Sequence, residues 1–411
     1  MIRGDNITSQ LSLRQRQALL LSSKDGWAPG EEIFIHFTNP AFTLSTQNGD
    51  TTLESPTRKL KLKDDPITIL ENFLAKDYFA VGYLSYEFFR YLEQGFAPNP
   101  RKDGATFPDA CFLFFEDDVA QGKIDDWRDE VEKRTNSRKA SNPRPNMTKS
   151  NFIRMVEQAR EYIGKGDIYQ VNLSQRFEVP FDIPPQVFLA KLYEVQPVPF
   201  ACCLDFGGFQ LLSGSMELFL RRTGERLVTR PIKGTRKRGA TAAEDKALRE
   251  ELLTSKKERA ENLMIADLMR NDLGRVCEYG SVRINKLFEI EPYSTLHQMV
   301  SEVEGTLREG VTINSIIQNT FPPGSITGAP KRRAMEIIDE LEPHLRGPYC
   351  GAIGIFEPSG DFTLSVAIRV FVSSRGKGTF WVGGGIMWDS VPEQEYEETL
   401  IKAKAIMKAL E

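Results

Sequence analysis

Residues 228–277 read VTRPIKGTRKRGATAAEDKALREELLTSKKERAENLMIADLMRNDLGRVC, and the rest of the chain is organised around this stretch. It opens with a short apolar run typical of a strand, after which Lys233 stands between Pro231 and Gly234. Proline fixes one backbone dihedral and glycine permits conformations that other residues avoid, so the backbone is defined on both sides of the lysine. We therefore expect the Lys233 amine to point in one direction.

The charged segment that follows predicts a long helix. Apolar residues recur at helical spacing between Lys256 and Leu273, and Gly274 is typical of a residue that caps a helix C-terminus. Glu258 and Glu261 lie on neighbouring turns of one side of this helix. They can be ligands or acids in a site, or they can complement the helix N-terminus from solvent. The helix alone leaves both interpretations open.

Size and charge exclude one class of function. With 411 residues and 40% hydrophobic content, the chain can bury a large core in one or two domains. The formal net charge of -4 provides no global positive field, so we expect no nucleic-acid partner. We interpret the basic clusters at 236–238 and 331–333 as solvated faces.

The cysteines and the apolar runs indicate a protein of the cytoplasm. Five cysteines without a Cys-x-x-Cys pair predict reduced thiols rather than disulfides. The first residues lack the pattern of a signal peptide, and no apolar run approaches the ~20 residues that span a bilayer. We therefore expect a soluble, cytoplasmic protein that does not enter a membrane.

The pattern of short apolar runs predicts an α+β fold. β-like runs alternate with turn residues through residues 1–125, with a helix near 67–75. A polar, proline-containing stretch at 125–150 is interpreted as a helix end followed by a linker. We place a boundary there, between an N-terminal region, 1–146, and a second region, 147–411.

Beyond the linker, strands and helices are both predicted from periodicity. Strands are expected at 168–177, 200–206, 210–213, 227–230, 352–356, 362–372 and 379–382. Helices are expected at 148–164, 185–194, 242–254, 313–318, 330–341 and 392–410. We find no internal repeat.

A glycine-rich turn precedes one of these helices. Residues 322–331 read PPGSITGAPK, in which Pro330 suits the first helical turn. Free backbone N–H groups at such a turn can bind an anion. The glycines are one residue too close for a nucleotide P-loop, and Lys331 does not directly follow the second glycine. We therefore expect a site for a substrate carboxylate.

A second glycine cluster, Gly383 to Gly385, lies where a predicted strand ends. Three successive glycines mark a β-bulge or let a ligand lie against bare backbone. Residues 390–393 then read SVPE, a capping-box pattern that predicts the helix from 392. On that helix Glu395, Glu398 and Lys402 share one stripe.

Single residues in these segments also have plain structural explanations. Glu398 and Lys402 can be an i,i+4 surface pair worth roughly a few tenths of a kcal/mol. His297, taken alone, is more typical of a hydrogen-bonded core residue than of a catalyst. The three histidines are far apart in the sequence, so we do not expect a histidine-rich zinc site.

Together and in order, six segments resemble the chorismate-utilising enzymes, from about Gly82 to the C-terminus. They are GDIYQVNL (166–173), PIKGT (231–235), ERAENLM (258–264), RNDLGR (270–275), GSITGAPK (324–331) and GGGIMWDS (383–390). The resemblance implies a single large α+β unit of packed, mainly antiparallel β-sheets with peripheral helices. It also implies that the N-terminal region is integrated with the chorismate-binding half.

Lys233 is the discriminating residue within this family. Anthranilate synthase component I usually carries alanine in this pentapeptide, whereas the aminodeoxychorismate synthase component I branch carries lysine. The resemblance therefore implies the second branch, in which chorismate and ammonia give 4-amino-4-deoxychorismate, the precursor of 4-aminobenzoate for folate. The alternatives are anthranilate synthase, an isochorismate or salicylate synthase, and a noncatalytic regulatory subunit that binds chorismate-like ligands.

The resemblance also implies roles for individual residues. Lys233 is the expected nucleophile and Glu217 the expected general acid. Mg²⁺ is the expected cofactor, held by Glu261 and Glu398 with Glu395 nearby. The other expected substrate contacts are Gly234, Thr235, His297, Thr327, Tyr349, Arg369, Gly383, Gly384, Gly385 and Lys402.

We expect ammonia to come from a separate subunit. Glutamine hydrolysis needs an activated cysteine, typically on a glycine-flanked turn with a histidine partner. Four of the cysteines lack such a turn, and Cys350 lies in a stretch that resembles the chorismate pocket. A glutamine amidotransferase subunit is therefore the expected protein partner.

The sequence departs from the family pattern at two places. Residues Ser215-Met216-Glu217 stand where the family has Ser-Pro-Glu, which keeps the carboxylate but loosens the turn. The tryptophan-sensing Leu-Leu-Glu-Ser element of anthranilate synthases is represented only by the fragment at 53–55. We therefore do not expect feedback by tryptophan.

Overall fold

Two antiparallel β-sheets carry most of the strands. The computed structural model describes residues 16–93, 95–96, 107–116, 119–133 and 142–411. Within these residues the helices and strands are mixed along the chain, and the α+β class predicted from the sequence is confirmed. None of the described helices combines the length and the apolar character needed to cross a membrane.

The strands begin early in the chain and continue to its last helix. In chain order they are β1 Gln17–Ser22, β2 Ile33–Thr38, β3 Phe42–Gln47, β4 Asp50–Glu54, β5 Lys59–Leu62, β6 Phe79–Leu84, β7 Ala110–Phe115, β8 Val119–Lys123, β9 Arg144–Pro145, β10 Gln170–Pro180, β11 Phe200–Asp205, β12 Gln210–Ser215, β13 Leu218–Thr223, β14 Arg226–Arg230, β15 Ile232–Lys237, β16 Arg283–Pro292, β17 Leu296–Thr306, β18 Gly328–Ala329, β19 Ala352–Phe356, β20 Phe362–Val366, β21 Val370–Ser374 and β22 Lys377–Ile386.

The helices lie between these strands. They are α1 Pro66–Leu74, α2 Phe89–Leu92, α3 Ile124–Lys133, α4 Lys149–Gly164, α5 Pro185–Val195, α6 Ala242–Thr254, α7 Lys256–Gly274, α8 Ile313–Thr320, α9 Lys331–Leu341 and α10 Pro392–Leu410. Short 3-10 turns occur at Tyr86–Phe88 and Gly324–Ile326.

Each sheet combines strands from distant parts of the chain. In the first, the pairing order is β18-β10-β22-β21-β12-β11-β1-β2-β8, with β9 beside β10. In the second, it is β15-β17-β14-β13-β20-β19-β6-β7-β3-β4-β5, with β16 beside β17. Because β1 pairs with β11 and β6 with β19, both sheets contain strands from before and after residue 146.

The central strands are apolar because both of their faces are covered. All six residues of β7 and all five residues of β19 are buried. Such strands have near-continuous apolar sequences rather than an alternating pattern. The large buried side chains are mostly aromatic, and many of them belong to one continuous core between the elements. This core holds the strand ends that form the candidate site.

The helices predicted from residue 256 and from residue 392 are confirmed, with two corrections at their ends. Helix α7 continues through Gly274 and is capped by Arg275, so Gly274 is not the cap. Helix α10 is preceded by Val391 as its N-cap, without a side-chain cap. The Ser390 hydroxyl instead donates to Glu395 Oε1 at 2.6 Å, which ties the helix start to a site carboxylate.

The strand predicted at 362–372 is wrong as a single element. It is divided into β20 and β21, and Arg369 between them has φ of 52°. A positive φ is incompatible with a continuous strand. Strands β16 and β17 were not predicted from the sequence, because many of their residues are polar.

Candidate active site

The hairpin of β13 and β14 brings Glu217 and Lys233 to the same end of the second sheet. In this hairpin Leu218 lies opposite Arg230. Glu217 directly precedes Leu218, and Lys233 lies on β15, shortly after Arg230. The two side chains are therefore neighbours in space, and their charges interact.

Glu217 is a buried acid with few donors around it. The residue is 5% exposed, and its carboxylate accepts hydrogen bonds from the Ser325 hydroxyl and the backbone N–H of Ile232. Burial raises the pKa of Glu217 to about 7, and these hydrogen bonds and the Lys233 ammonium oppose that rise only in part. Near neutral pH this carboxyl group can both hold and release a proton.

The Lys233 amine lies within electrostatic reach of carboxylates from three separate elements. Burial lowers the pKa of the amine, while Glu261, Glu217 and Glu398 oppose the change and Lys402 adds to it. Neutral amines attack carbon, and a lowered pKa increases the neutral fraction. Lys233 itself lies on β15 and is partly buried.

Helix α7 packs against β15 and brings two carboxylates beside Lys233. Gly234 has φ of 90°, and a Cβ at this position would lie 3.1 Å from Glu258 Oε2, so the glycine permits the close approach. Glu258 is engaged in an ion pair with Arg236, at 3.1 Å. Burial raises the pKa of Glu261, and Lys233 is the first of the charges that oppose it. Glu261 is thus the carboxylate of this helix that faces the site.

Helix α10 contributes a second acidic group beside bare backbone. A Cβ on Gly384 would lie 3.4 Å from Glu395 Oε2 and 3.6 Å from Glu398 Oε1. Lys402 lies 2.7 Å from Glu398 Oε1 and donates to the carbonyl of Gly383 at 3.0 Å. The Lys402 ammonium lowers the pKa of Glu398, whereas burial raises the pKa of Glu395. Glu398 and Lys402 are thus an exposed i,i+4 pair, as one interpretation of the sequence has it, and the pair lies beside Gly383 and Gly384.

The neighbouring glycines face polar side chains on the other side of β22. A Cβ on Gly383 would lie 2.9 Å from the Tyr349 hydroxyl oxygen, and one on Gly385 would lie 2.2 Å from Gln170 Nε2. Tyr349 is buried and stacks on Trp381 with ring centroids 6.3 Å apart. The register between β10 and β22 is unbroken, so the β-bulge interpretation of the glycines is wrong. The glycines instead allow the Tyr349 and Gln170 side chains to lie close to the backbone of β22.

Arg369 is a partly buried cation with an unused donor. Burial lowers the pKa of its guanidinium to about 10. Its Nη1 is buried and has no hydrogen-bond partner among the described residues. A buried charged donor without a partner is costly. The residue therefore suits an anion that arrives from outside, and a carboxylate matches a guanidinium best.

The glycine-rich turn at 322–330 supplies buried polar groups beside Glu217. Thr327 is buried, and its hydroxyl donates to the carbonyl of Pro323 at 2.7 Å. Lys331 donates to Asp272 at 2.6 Å and to the carbonyl of Thr320 at 2.7 Å. Lys331 is thus an anchor for the turn, and the interpretation of residues 331–333 as a solvated face is wrong for this residue.

His297 and Thr235 lie on the ladder between β15 and β17. His297 is buried, and its Nε2 lies 3.0 Å from Asp245 Oδ1 on α6. Its Nδ1 is also buried and has no partner in the part of the chain that the structure describes. Thr235 is exposed and lies opposite Gln298. Both residues are next to Lys233 on the sheet without belonging to the charged cluster around it.

The predicted site residues thus fall into three groups. One charged cluster unites Lys233, Glu217, Glu261, Glu395, Glu398, Lys402 and the backbone of Gly384. Tyr349 lies across Gly383 on the opposite face, where Gly385 contacts Gln170. The third group, on adjacent elements, is Gly234, Thr235, His297, Thr327 and Arg369.

The acidic residues fit a Mg²⁺ ion that also binds substrate. Beyond the effect of burial, the Glu398 charge raises the pKa values of both Glu261 and Glu395. The three carboxylates are therefore close enough to repel one another, and the neighbouring lysines do not cancel this repulsion. Within the described residues no three His, Cys, Asp or Glu side chains are close enough to hold a metal by themselves. Mg²⁺ commonly uses one or two protein carboxylates and completes its octahedron with water and substrate oxygens. Glu261 and Glu398 can serve in this way.

Sequence reasoning missed several contributors to the site. Ser325 donates to Glu217, Gln170 covers Gly385, and Lys257 lowers the pKa of Glu398. Ser325 and Gln170 lie inside two of the segments that resemble the family, so their position in these motifs could have indicated a role in the site. Lys257 is an exposed helical lysine, and nothing in its sequence context distinguishes it.

The five cysteines are all free and buried, which confirms the prediction of reduced thiols. Burial raises the pKa of Cys111, Cys202 and Cys350 to about 12 and that of Cys277 to about 11. Burial also raises the pKa of Cys203 well above its usual value. Thiolates are the reactive form of cysteine, so these thiols are poor nucleophiles near neutral pH.

The sequence of residues 16–408 matches the family described as chorismate binding enzyme. The chain therefore belongs to this family, as its sequence motifs indicated, and it is a chorismate-utilising enzyme. Aminodeoxychorismate synthase component 1 of Bacillus subtilis (strain 168) is 36% identical over 444 residues, which cover 98% of this chain and 93% of that protein. Anthranilate synthase component 1 of Aquifex aeolicus (strain VF5) is 47% identical over 270 residues, 66% of this chain and 55% of that protein.

The fold agrees with this assignment. The crystal structure of anthranilate synthase component I from Streptococcus pneumoniae TIGR4 superimposes with a TM-score of 0.80, at 28% identity and with 99% of each chain covered. The expected fold of packed antiparallel sheets with helices is confirmed. Relatives of two different activities are thus similar to this chain, and the site chemistry has to distinguish between them.

Proposed function

We propose that this chain is an aminodeoxychorismate synthase component I, which converts chorismate and ammonia to 4-amino-4-deoxychorismate. The observation that carries the proposal is the Lys233 amine, whose pKa is lowered by burial and whose charge interacts with those of Glu261 and Glu217. Alanine at this place, as in the anthranilate synthase branch, provides no nucleophile. The similarity to the Bacillus subtilis protein over nearly the whole chain supports the same assignment.

The replacement of the C4 hydroxyl by an amino group with retained configuration needs two inversions. In the first, the neutral Lys233 amine forms a bond to C2 while the C4–O bond breaks, and Glu217 gives its proton to the departing oxygen, which leaves as water. In the second, ammonia forms a bond to C4 and the C2–N bond to lysine breaks. The proton lost from ammonia restores the starting protonation. The pKa of Glu217, about 7, suits an acid that must be recharged in each cycle.

The two carboxylates of chorismate need positive partners. Arg369, with its unused buried donor, and the Tyr349 hydroxyl can bind one of them beside Gly383 and Gly384. Glu261 and Glu398 would hold a Mg²⁺ ion for the other, with Glu395 nearby. When bound, Mg²⁺ supplies positive charge that fixes the substrate and withdraws electron density from the ring.

Ammonia has to reach this site from outside the chain. The buried, high-pKa cysteines give no support for glutamine hydrolysis by the chain itself. We therefore propose a separate glutamine amidotransferase subunit as the physiological ammonia source. Free ammonia at high pH, where more of it is unprotonated, would replace that subunit in an assay.

The test combines two readouts on the product formed from chorismate, Mg²⁺ and ¹⁵N-ammonium. Aminodeoxychorismate formation incorporates ¹⁵N and releases no pyruvate, because the enolpyruvyl side chain is kept. Anthranilate formation, favoured by the 47% identity to the Aquifex aeolicus protein, incorporates ¹⁵N and releases pyruvate. Isochorismate or salicylate formation incorporates no nitrogen, and a noncatalytic subunit gives no turnover. Only the first outcome agrees with the proposal.

A further inference from the structure

His297 is held by a carboxylate on a neighbouring helix. Its side chain is 2% exposed, and its Nε2 lies 3.0 Å from Asp245 Oδ1 in the first turn of α6. Asp245 also accepts from the backbone N–H of Gly239, at 2.9 Å, and from the Arg238 guanidinium, at 2.7 and 2.9 Å. This one carboxylate therefore connects β17, through His297, to the segment between β15 and α6.

The hydrogen between these two side chains belongs to the imidazole of His297. The hydrogen bonds from Arg238 and from the Gly239 backbone lower the pKa of Asp245, so its carboxyl group is ionised. An ionised carboxylate can only accept, and a neutral imidazole carries a hydrogen on one nitrogen and a lone pair on the other. Asp245 therefore selects the tautomer of His297 in which Nε2 donates and Nδ1 is an acceptor.

Nδ1 of His297 is an acceptor without a donor. The atom is buried and has no hydrogen-bond partner among the described residues. A buried acceptor without a donor is costly, so this arrangement suits a donor that arrives with a ligand. At neutral pH both carboxyl groups of chorismate are ionised, which leaves the C4 hydroxyl as its one hydrogen-bond donor. The acceptor thus matches the hydroxyl that the proposed reaction replaces.

The imidazole lies under the helices that cover the backbone beside the proposed nucleophile. His297 and Ser301 share one face of β17, because side chains alternate along a strand. On this face the Ser301 hydroxyl donates to the Asn262 side chain of α7. Gly234, which directly follows the nucleophile on β15, packs under the same layer: a Cβ there would lie 3.0 Å from Leu252 of α6. Helices α6 and α7 therefore cover both places.

We propose that Asp245 is a positioning residue of this site, which fixes His297 so that Nδ1 accepts a hydrogen bond from the C4 hydroxyl of chorismate. The inference rests on the proposed function, because chorismate amination is the reaction in which this hydroxyl leaves. A hydroxyl that donates to Nδ1 keeps its lone pairs free for the proton that Glu217 supplies. Asp245 acts through the imidazole and not on the substrate itself.

The first test is a double-mutant cycle on ammonium-dependent amination. Asp245→Ala is expected to lower kcat about 30-fold, a loss typical of an outer partner that orients an imidazole, with a smaller change in KM for chorismate. In the His297→Ala background the same change is expected to lower kcat less than about 3-fold, because the group that Asp245 orients is gone.

Arg238→Ala is the matched control for this cycle. It removes the ion pair of Asp245 with an exposed arginine and leaves the hydrogen bond from His297 in place. Its kcat is expected to stay within about 3-fold of that of the unaltered chain. An equal loss in Arg238→Ala, or equal losses from Asp245→Ala in the presence and absence of His297, would show that Asp245 only supports the fold, and would overturn the inference.

A second measurement observes the tautomer without turnover. The chain has three histidines, so the ¹⁵N signals of the His297 imidazole are assigned by their loss in His297→Ala. At the pH of the assay, the unaltered chain is expected to carry a hydrogen on Nε2 and none on Nδ1. A hydrogen on Nδ1 contradicts the inference, also where Asp245→Ala does not fold. Absence of ammonium-dependent amination in the unaltered chain contradicts the proposed function instead, and the tautomer is measured independently of it.

Discussion

Two charged clusters in this protein, one fully buried and one partly buried, differ in how well their charges are satisfied. Arg346 is fully buried and donates to both oxygens of Glu342, at 2.9 and 2.7 Å, and to the carbonyls of Ile326 and Asn172. Ser174 gives Glu342 two further hydrogen bonds, at 2.7 and 2.8 Å. The cluster around Lys233 is less well paired: burial and the Glu398 charge raise the pKa values of Glu261 and Glu395, and burial and the Lys402 charge lower the pKa of Lys233.

The difference distinguishes a structural ion pair from a reactive site. A buried pair with every donor and acceptor engaged fixes the elements that it joins, here β10, the 324–326 turn and the segment after α9. A cluster with unbalanced charges is costly for the folded protein and is retained where a ligand or a reaction uses it. Loss of the first cluster is therefore expected to change stability, and loss of the second to change activity.

The largest expected effect is that of Lys233→Ala on turnover. Removal of a nucleophile is expected to lower ammonium-dependent aminodeoxychorismate formation by about 10⁴-fold. The side chain is only partly buried, so the melting temperature should change little. Lys237→Ala is the control, because Lys237 is an exposed lysine on the same strand. Near-normal synthesis by Lys233→Ala would remove the covalent route.

Arg346→Met is expected to destabilise the protein by about 3–5 kcal/mol, because it leaves the Glu342 charge buried without its partner. Denaturant unfolding measures this change in the free energy of unfolding. Lys149→Met breaks an exposed pair with Glu397, at 2.7 Å, and is expected to change the free energy of unfolding far less, because water screens exposed ion pairs. Equal effects of the two changes would contradict the contrast between the clusters.

Glu398→Gln and Glu261→Gln are each expected to lower turnover about 10³-fold, the equivalent of several kcal/mol of metal-supported stabilisation. Higher Mg²⁺ concentration should restore part of the rate if the carboxylates hold the ion. Glu397→Gln, at an exposed position on the same helix, serves as the control. Normal rates with normal Mg²⁺ dependence in either site variant would contradict the metal assignment.

The pH dependence of stability is expected to show the cost of burying Glu217. Its pKa is about 7 in the folded protein and near 4.5 when exposed, so the folded state holds a proton that the unfolded state releases between these values. Stability is therefore lost as pH rises through this window. Relative to Glu217→Gln, the loss is at most about 3 kcal/mol between pH 4 and pH 8. A pH-independent difference between the two proteins would show that Glu217 is not perturbed.

The sequence predicted those parts of the fold that local periodicity defines. Helices α7 and α10 were found from their apolar spacing because helical contacts repeat within the segment. Strand β17 was missed because polar residues occupy its buried positions: Ser301 bonds to Asn262, and Glu304 to Arg226 and Arg283. Because these partners are distant in sequence, the sequence of β17 alone does not indicate that the strand is buried.

The candidate site shows the same limit. The family motifs identify the carboxylates of the site, but they do not show which of these carboxylates form ion pairs with other side chains. Glu258 is paired with Arg236, and Glu261 is left to face Lys233. Likewise, the hydrogen bond from Ser325 to Glu217 depends on how the glycine-rich turn packs against the β12–β13 connection. Such pairings follow from tertiary contacts, which residue spacing does not encode.

The most direct test of the central claim is the mass of the peptide that contains Lys233 after the protein meets chorismate and Mg²⁺ without ammonia. The account predicts an increase equal to chorismate minus one water on this peptide, its disappearance when ammonium is added, and its absence in Lys233→Ala. Ammonium-dependent synthesis by a protein whose Lys233 peptide never gains that mass would contradict covalent catalysis by this lysine.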